Sequence, residues 1–189
     1  IPSKGGYLVV SNHTSHLDGG LIKHGLGRVG RELVSLAAKD YFFNTPLKRF
    51  VFGHFTNLLP FNRKARLKES LQVAGQVLAG GRNLLIFPEG TRTPDGNMLP
   101  FKPSAGYLAL QNNADVLPVY LTGAFKAMPK GTPHPFPCRR DLGIAIGKPV
   151  SCAQLKKATE GLPNNEAYRV ATGIIEDAVR QLGTASGGR

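Results

Sequence analysis

The stretch VVSNHTSHLDGG, residues 9–20, joins an apolar run to a polar turn and then to a pair of glycines. The apolar part belongs to GYLVVSN (6–12), which is typical of a buried strand. The spacing Ser15-x-x-Asp18 is that of a capping box and predicts a helix with Ser15 at its N-cap. The sequence therefore predicts a strand, a turn and a helix in succession, which is the repeating unit of an α/β protein.

Further strands and helices are predicted to alternate along the chain. Most of the strands are nearly continuous apolar runs, which indicates a sheet covered on both faces. The predicted fold class is therefore α/β, a mixed, largely buried sheet covered by helices. The other predicted strands are ELVSLAA (32–38), FTNLLPF (55–61), NLLIF (83–87), DVLPVYLTG (115–123) and LGIAIGKPV (142–150).

Two helices are predicted from apolar stripes that recur every three or four residues. The first lies within 63–81 and ends at Gly80-Gly81, because glycine commonly ends a helix. The second lies near the C-terminus. The stripes are Leu67, Leu71, Ala74 and Leu78 in the first helix, and Ala167, Ala171, Ile174, Ala178 and Leu182 in the second.

The length of 189 residues and the hydrophobic share of 41% predict a single globular domain. We expect this domain to cover residues 1–183 and 184–189 to form a flexible tail. The chain starts at Ile1 and reaches its first strand within a few residues, so we expect it to be excised from, or truncated relative to, a longer protein. Cys138 and Cys152 are expected to be free thiols in a reducing compartment.

The formal net charge of +12 predicts an acidic partner: nucleic acid, an anionic membrane, a phosphorylated substrate or an acidic carrier protein. Nucleic acid is disfavoured because no recognised nucleic-acid motif is present. No apolar run approaches the roughly 18 residues that a membrane-spanning helix needs. In TPLKRFVFGHF (45–55), Phe52 shares a helical face with Lys48 and Arg49, which suits either docking on an anionic bilayer or a core helix with one exposed phenylalanine.

The segment GLGRVG (25–30) matches the G-x-G-x-x-G pattern of dinucleotide-binding proteins. A true fingerprint follows a strand and opens a helix. Here the segment closes a predicted helix and precedes the strand ELVSLAA, so we interpret it as a turn. His13 and His16 have no convincing further ligands, so no metal site and no cofactor are expected.

His13 is predicted on the strand-to-helix turn, at the end of the strand where open α/β sheets bind ligands. There the imidazole can fold back so that one ring nitrogen donates to Asp18 and the other stays free as an acceptor. Such a ring is a general base able to deprotonate a hydroxyl. His16 is expected to face elsewhere. Because no third group supports a covalent nucleophile, we expect direct attack by a substrate hydroxyl.

The stretch NLLIFPEGTRTPDG (83–96) is a buried strand that ends in a polar turn. The turn alone explains much of its composition. However, Gly90 allows a close approach of backbone to ligand, and Arg92 is a bidentate phosphate binder. Glu89 is expected either to hold Arg92 or to bind substrate hydroxyls. Backbone N–H groups near Gly90 or after Asn12 are candidates to stabilise an oxyanion.

NHTSHLD followed by FPEGTR after about seventy residues resembles the glycerolipid acyltransferase family, typified by 1-acylglycerol-3-phosphate acyltransferases. The resemblance extends from VVSNH to VLPVYLTG. It implies that His13 and Asp18 are the catalytic pair. It also implies acyl transfer from acyl-CoA or acyl-carrier protein, as co-substrate, to the hydroxyl of a lysophospholipid such as 1-acylglycerol-3-phosphate. The implied location is cytoplasmic and peripheral, at the inner face of the membrane.

The same resemblance implies an acceptor site. Its residues are Arg63 at the end of LLPFNR, Glu89, Gly90, Thr91 and Arg92 in the third block, and Lys102 as an assisting cation. Two departures leave the acceptor open: NLLPFNR keeps only the end of the family's G-x-x-F-I-x-R, and FKPSAG stands where F-K-x-G is common.

Three alternatives follow from the same residues. The chain could be a domain of a multidomain protein that acts on a non-glycerolipid alcohol or a carrier-bound acyl chain. It could be a thioesterase in which His13 activates water. A basic nucleic-acid-binding module would explain the charge but would leave the His13–Asp18 pair without a role.

Overall fold

The computed structural model describes residues 6–38, 58–61, 67–132 and 141–186. Within these ranges the strands are β1 Leu8–Ser11, β2 Val34–Ala38, β3 Leu58–Phe61, β4 Leu84–Ile86, β5 Val116–Thr122 and β6 Gly143–Ile146. The described helices are α1 Asp18–Gly25, α2 Gly27–Glu32, α3 Leu67–Ala79, α4 Ser104–Gln111, α5 Ala124–Ala127, α6 Cys152–Ala158 and α7 Asn164–Ser186.

The strands form one sheet in the order β3-β2-β4-β1-β5-β6. The first five are parallel to their neighbours, and β6 pairs antiparallel with β5 at the edge. All six predicted strands are present in this mixed sheet. The predicted α/β class is therefore confirmed.

Strand β1 lies inside the sheet and is buried on both faces. Leu8 and Val10 belong to a hydrophobic cluster with α3, α4 and α7, whereas Val9 belongs to a second cluster with Ile22 of α1. Since side chains alternate along a strand, the two clusters cover opposite faces of the sheet. This double burial explains why the strand is apolar at consecutive positions.

Helix α7 buries a line of side chains that differs from the predicted stripe. Ala167 and Ala171 are buried as expected, but the line continues through Ile175 and Val179. Ile174 is only partly buried at the edge of the cluster. The prediction was therefore wrong by one position in the C-terminal half of this helix, where it packs on the sheet as well as on α4.

The predicted start of a tail at residue 184 falls inside α7, which continues to Ser186. Gly183, the last residue of the predicted domain, allows the helix to approach the sheet closely. A Cβ atom at Gly183 would lie 2.7 Å from the ring of Tyr120 in β5. The glycine therefore meets a packing requirement and does not end the helix.

The GLGRVG segment follows a helix and precedes β2, as predicted, but the interpretation as a turn is wrong for most of it, because residues 27–30 belong to α2. A Cβ atom at Gly30 would overlap the carbonyl oxygen of Lys23, so close helix packing explains one of its glycines. Cys152 is a buried free thiol, as expected. Cys138, Arg63 and the amphipathic stretch 45–55 lie outside the described residues. In the described ranges, no helix has both the length and the apolar character needed to cross a membrane.

Replacing Ile175 by alanine is expected to lower the free energy of unfolding by about 2–5 kcal/mol, because the side chain is 0% exposed and leaves a cavity. Ile174→Ala removes the same atoms from a partly exposed position and serves as the matched control. Denaturant unfolding of both variants measures the difference. Equal losses would contradict the buried line described for α7.

Candidate active site

Strands β1 and β4 bring the two sequence motifs to the same end of the sheet, where the parallel strands have their carboxyl ends. Val10 pairs with Ile86, so His13 and Glu89 each follow three residues after this pair. The chain then leaves β1 towards β2 and leaves β4 towards β5, in opposite directions across the sheet. Such a reversal opens a crevice at the carboxyl ends of parallel strands, where α/β proteins bind ligands.

Asn12 fixes the point at which the chain leaves the sheet. Its side-chain Oδ1 accepts a hydrogen bond from the backbone N–H of Leu121 (2.8 Å), and its Nδ2 donates to the Leu121 carbonyl (3.0 Å). The amide thus continues the pairing of β1 with β5 for one more residue. Sequence reasoning did not assign this role. An asparagine directly after an apolar strand is the signal that points to it.

The His13 ring is held between a carboxylate and an aromatic face. Nδ1 lies 2.9 Å from Oδ2 of Asp18, and the ring stacks on Phe87 with centroids 4.2 Å apart. Asp18 is 0% exposed and also accepts hydrogen bonds from the backbone N–H groups of Thr14 (2.6 Å) and Ser15 (2.8 Å). With its proton on Nδ1, the ring keeps Nε2 as an acceptor. The predicted contact between the two side chains is confirmed.

The predicted capping box is only half formed. The Ser15 N–H donates to Asp18, but the Ser15 Oγ accepts from the N–H of Leu17 (3.2 Å) and donates to the Met128 carbonyl (2.9 Å). Helix α1 begins at Asp18 and not after Ser15. The reason is that Asp18 gathers three N–H donors from residues 13–15, which holds these residues in a turn before the helix.

The loop after β4 holds the backbone of His13 from both sides. Glu89 accepts from the His13 N–H through Oε1 (2.7 Å), and the His13 carbonyl accepts from the N–H of Thr93 (2.9 Å). The second oxygen of Glu89 accepts from the N–H of Leu99 (2.9 Å). Glu89 is only 3% exposed, and burial raises its pKa while the two backbone N–H groups oppose that rise. We expected Glu89 to hold Arg92 or a substrate hydroxyl. Instead, its hydrogen bonds connect two loops.

The turn at residues 90–92 presents cationic groups beside His13. Gly90 has a positive φ of 73°, and a Cβ atom there would lie 2.5 Å from the Lys102 Nζ. Arg92 is half-buried, and its Nη1 is buried without a hydrogen-bond partner among the described residues. A buried N–H donor without an acceptor is costly, so this atom can donate to an anionic partner. Thr91 is exposed next to it.

His16 was expected to face elsewhere, and its direction stays a prediction. Burial is the main cause that lowers the pKa of His16; the charges of Arg92 and His13 lower it further, and Asp18 opposes them.

The expected backbone donors for an oxyanion are largely occupied. The N–H groups of His13, Thr14 and Ser15 after Asn12 all donate to carboxylates. The N–H of Gly90 donates to the Phe87 carbonyl (3.0 Å). The prediction therefore fails for these groups, because the same hydrogen bonds that position His13 use them.

Helix α7 supports the loop from the far end of the chain. Glu176 accepts from the N–H of Phe101 (2.9 Å), and Arg180 pairs with Glu176 (2.7 Å) and donates to the Met98 carbonyl (3.4 Å). These contacts flank Leu99, the partner of Glu89. The i,i+4 spacing of Glu176 and Arg180 was visible in the sequence, but nothing there indicated which loop they hold.

The structure thus brings His13, Asp18, the 89–92 turn and Lys102 together. Arg63 is the predicted site residue that lies outside the described ranges. Where side chains are described, no three metal-binding residues converge.

Fold and site agree with one class of protein. The chain belongs to the Acyltransferase family, whose model matches residues 1–122. This match confirms the resemblance found in the two motifs.

One solved structure and two sequence relatives show what kind of acyltransferase this chain is similar to. The crystal structure of the 1-acyl-sn-glycerophosphate (LPA) acyltransferase PlsC from Thermotoga maritima is similar with a TM-score of 0.72 at 25% identity, over 100% of this chain and 69% of that one. A 1-acyl-sn-glycerol-3-phosphate acyltransferase from Limnanthes alba is 31% identical over 126 residues, 66% of this chain and 44% of the relative. The human alpha enzyme of the same name is 31% identical over 123 residues, 61% and 40% of the two chains. The matches therefore span less than half the length of these two relatives.

Replacing Glu89 by alanine is expected to lower the free energy of unfolding by about 2 kcal/mol or more, because two backbone N–H groups lose their acceptors. Glu166→Ala is the matched control, since Glu166 is exposed in the first turn of α7 and its loss is expected to cost under about 0.5 kcal/mol. Urea unfolding compares the two. If both variants were equally stable, Glu89 would not connect the loops as described.

Proposed function

We propose that this protein transfers an acyl group from a thioester donor to the free hydroxyl of a phosphate-bearing lysophospholipid, most simply 1-acylglycerol-3-phosphate. One observation carries the proposal: the His13 ring, fixed by Asp18 and 24% exposed, lies at the same end of the sheet as the buried Nη1 of Arg92, which has no hydrogen-bond partner among the described residues. A general base next to a guanidinium suits an alcohol that also carries an anion. The names of the relatives support this acceptor class.

In the proposed reaction, Nε2 of His13 takes the proton of the acceptor hydroxyl while the oxygen attacks the thioester carbonyl. The tetrahedral intermediate then collapses, the carbon–sulfur bond breaks, and the imidazolium returns the proton to the leaving thiolate. The products are an ester and a free thiol, and the histidine ends in its starting state. Asp18 keeps the Nδ1 proton in place and stabilises the imidazolium between the two steps.

The developing oxyanion needs donors that are not already bonded. The N–H groups of His13, Thr14, Ser15 and Gly90 are engaged elsewhere. We propose that the donors come from the turn at Thr91 and Arg92, which faces the same crevice.

The acceptor phosphate is proposed to bind Arg92, with Lys102 as a second cation beside Gly90. Arginine suits this role because its planar fork matches a phosphate bidentately. Arg63 remains a predicted acceptor ligand. Three points stay predictions from charge and resemblance. They are the donor (acyl-CoA or an acidic acyl-carrier protein), the binding to an anionic membrane surface, and the cytoplasmic location.

Product analysis by mass spectrometry tests the proposal directly. The protein is incubated with acyl-CoA or acyl-carrier protein, each with 1-acylglycerol-3-phosphate, a phosphate-free monoacylglycerol or no acceptor. We expect a diacylated phosphate product in preference to any phosphate-free product. Free fatty acid alone would identify a thioesterase, and preferential acylation of the phosphate-free alcohol would overturn the acceptor assignment.

The variant His13→Gln is expected to lower the acyl-transfer rate by at least about 100-fold, because positioned proton transfer supplies that order of acceleration. His24→Gln is the matched control, since His24 is exposed in the last turn of α1. Circular dichroism verifies that both variants fold. Near-normal turnover by the His13 variant would rule out the proposed base.

The variant Arg92→Gln is expected to raise the KM for 1-acylglycerol-3-phosphate about 10-fold or more, because a charge-assisted hydrogen bond is lost. Turnover of a phosphate-free acceptor should change little. Arg169→Gln, at an exposed position of α7, controls for the loss of one positive charge. Steady-state kinetics with both acceptors measures the contrast, and equal effects on the two acceptors would refute phosphate binding by Arg92.

A further inference from the structure

The turn that follows α5 carries a lysine for which sequence reasoning assigned no role. Thr132 closes this turn, since its N–H (3.2 Å) and its Oγ1 (2.8 Å) both donate to the Pro129 carbonyl. Gly131 adopts a positive φ of 98° within it. A turn closed twice on the same carbonyl has a defined shape, and it presents Lys130 as an exposed side chain at its tip.

Two contacts tie this turn to the two motifs of the site. The Met128 carbonyl accepts the Ser15 hydroxyl (2.9 Å), which connects the segment to the turn that holds Asp18. The Lys130 Nζ donates to the Thr91 Oγ1 (3.3 Å), next to Arg92. The lysine therefore reaches the proposed phosphate site although it lies about forty residues further along the chain.

Lys130 adds a third cation to the 90–92 turn. Lys102 lies beside Gly90 and Arg92 belongs to the turn itself. The two carboxylates that flank this turn in the sequence are already hydrogen-bonded: Glu89 to two backbone N–H groups, and Asp95 to Thr93 and Asn97. Among the described residues, the hydrogen-bond partner of Lys130 is a neutral hydroxyl at 3.3 Å, the long end of the range, so an anion can replace that partner.

We propose that Lys130 is a phosphate-binding residue that selects acceptors with a dianionic phosphomonoester over acceptors with a monoanionic phosphodiester. The proposal rests on the function proposed above and names the chemistry of its acceptor. A phosphomonoester carries a charge near −2 above its second pKa of about 6, whereas a phosphodiester keeps a single charge. Arg92 and Lys102 suffice to bind a phosphate with one negative charge. Lys130 therefore interacts with the second negative charge, which a phosphomonoester has and a phosphodiester lacks.

The test compares Lys130→Gln with Lys157→Gln, which removes the same charge elsewhere. Lys157 is exposed on α6. At the start of that helix, the Cys152 N–H donates to Asp115 (2.8 Å). Asp115 directly precedes β5, so the helix begins at the amino end of the strands, opposite to the candidate site. Lys130→Arg retains the charge and is expected to behave like the unmodified protein.

For Lys130→Gln we expect kcat/KM for 1-acylglycerol-3-phosphate to fall about 5- to 10-fold, with a smaller change for a lysophosphodiester and none in the KM of the thioester donor. The Lys157 variant should change none of these values. Equal losses for the monoester and the diester would overturn the proposal. A rise only in the donor KM would also overturn it, because it would assign the lysine to phosphates of the donor.

A binding measurement separates this proposal from the proposed reaction. Glycerol 3-phosphate, a phosphomonoester without an acyl chain, is titrated into each variant and followed by calorimetry. Weaker binding to Lys130→Gln but not to Lys157→Gln supports the assignment, whatever the protein does with thioesters. Equal binding to both variants overturns it. Lys130-dependent binding without acyl transfer would defeat the proposed function alone.

Discussion

The hydrogen bond from the backbone N–H of His13 to the buried carboxylate of Glu89 joins two turns that the sheet brings side by side. Its acceptor also binds the N–H of Leu99, so one side chain sets the distance between β1, the turn after β4 and the loop that leads to α4. A carboxylate taken out of water is tolerated only when its oxygens are satisfied, and here both are. The reactive ring is positioned through this main-chain contact as much as through its own partners.

The side chain of His13 is fixed by two different forces. Asp18 supplies a directional hydrogen bond, and Phe87 supplies a flat apolar surface against which the ring stacks. Together they leave only the outer ring nitrogen for chemistry. The backbone N–H groups of residues 13–15 all donate to carboxylates that hold this turn, so they are not available as donors to a ligand. Positioning the proposed base and stabilising the proposed oxyanion would therefore need different donors.

Much of this architecture could be predicted from the sequence, for reasons that particular residues make clear. Strand β1 is apolar at consecutive positions because it is buried on both faces. The contact of His13 with Asp18 follows from their short spacing across one turn. The pairing of Asn12 with Leu121 could not be predicted, because it requires knowing that β5 lies beside β1. The partners of Glu89 likewise depend on strand register. The length of α7 could not be predicted either, because the close packing of Gly183 on Tyr120 depends on where the helix crosses the sheet.

The contacts of α7 with the loop around Leu99 determine which part of the chain must stay together when such a domain is recombined. Family similarity is recognised over residues 1–122, yet the loop around Leu99 is also held by Glu176 and Arg180, far beyond that limit. A shuffled gene that kept both motifs but exchanged the final helix would release the amide of Phe101 and loosen the loop whose Leu99 amide bonds Glu89. The unit that must stay intact is therefore longer than the segment that the family model matches, and we expect α7 to vary together with the loop that it contacts.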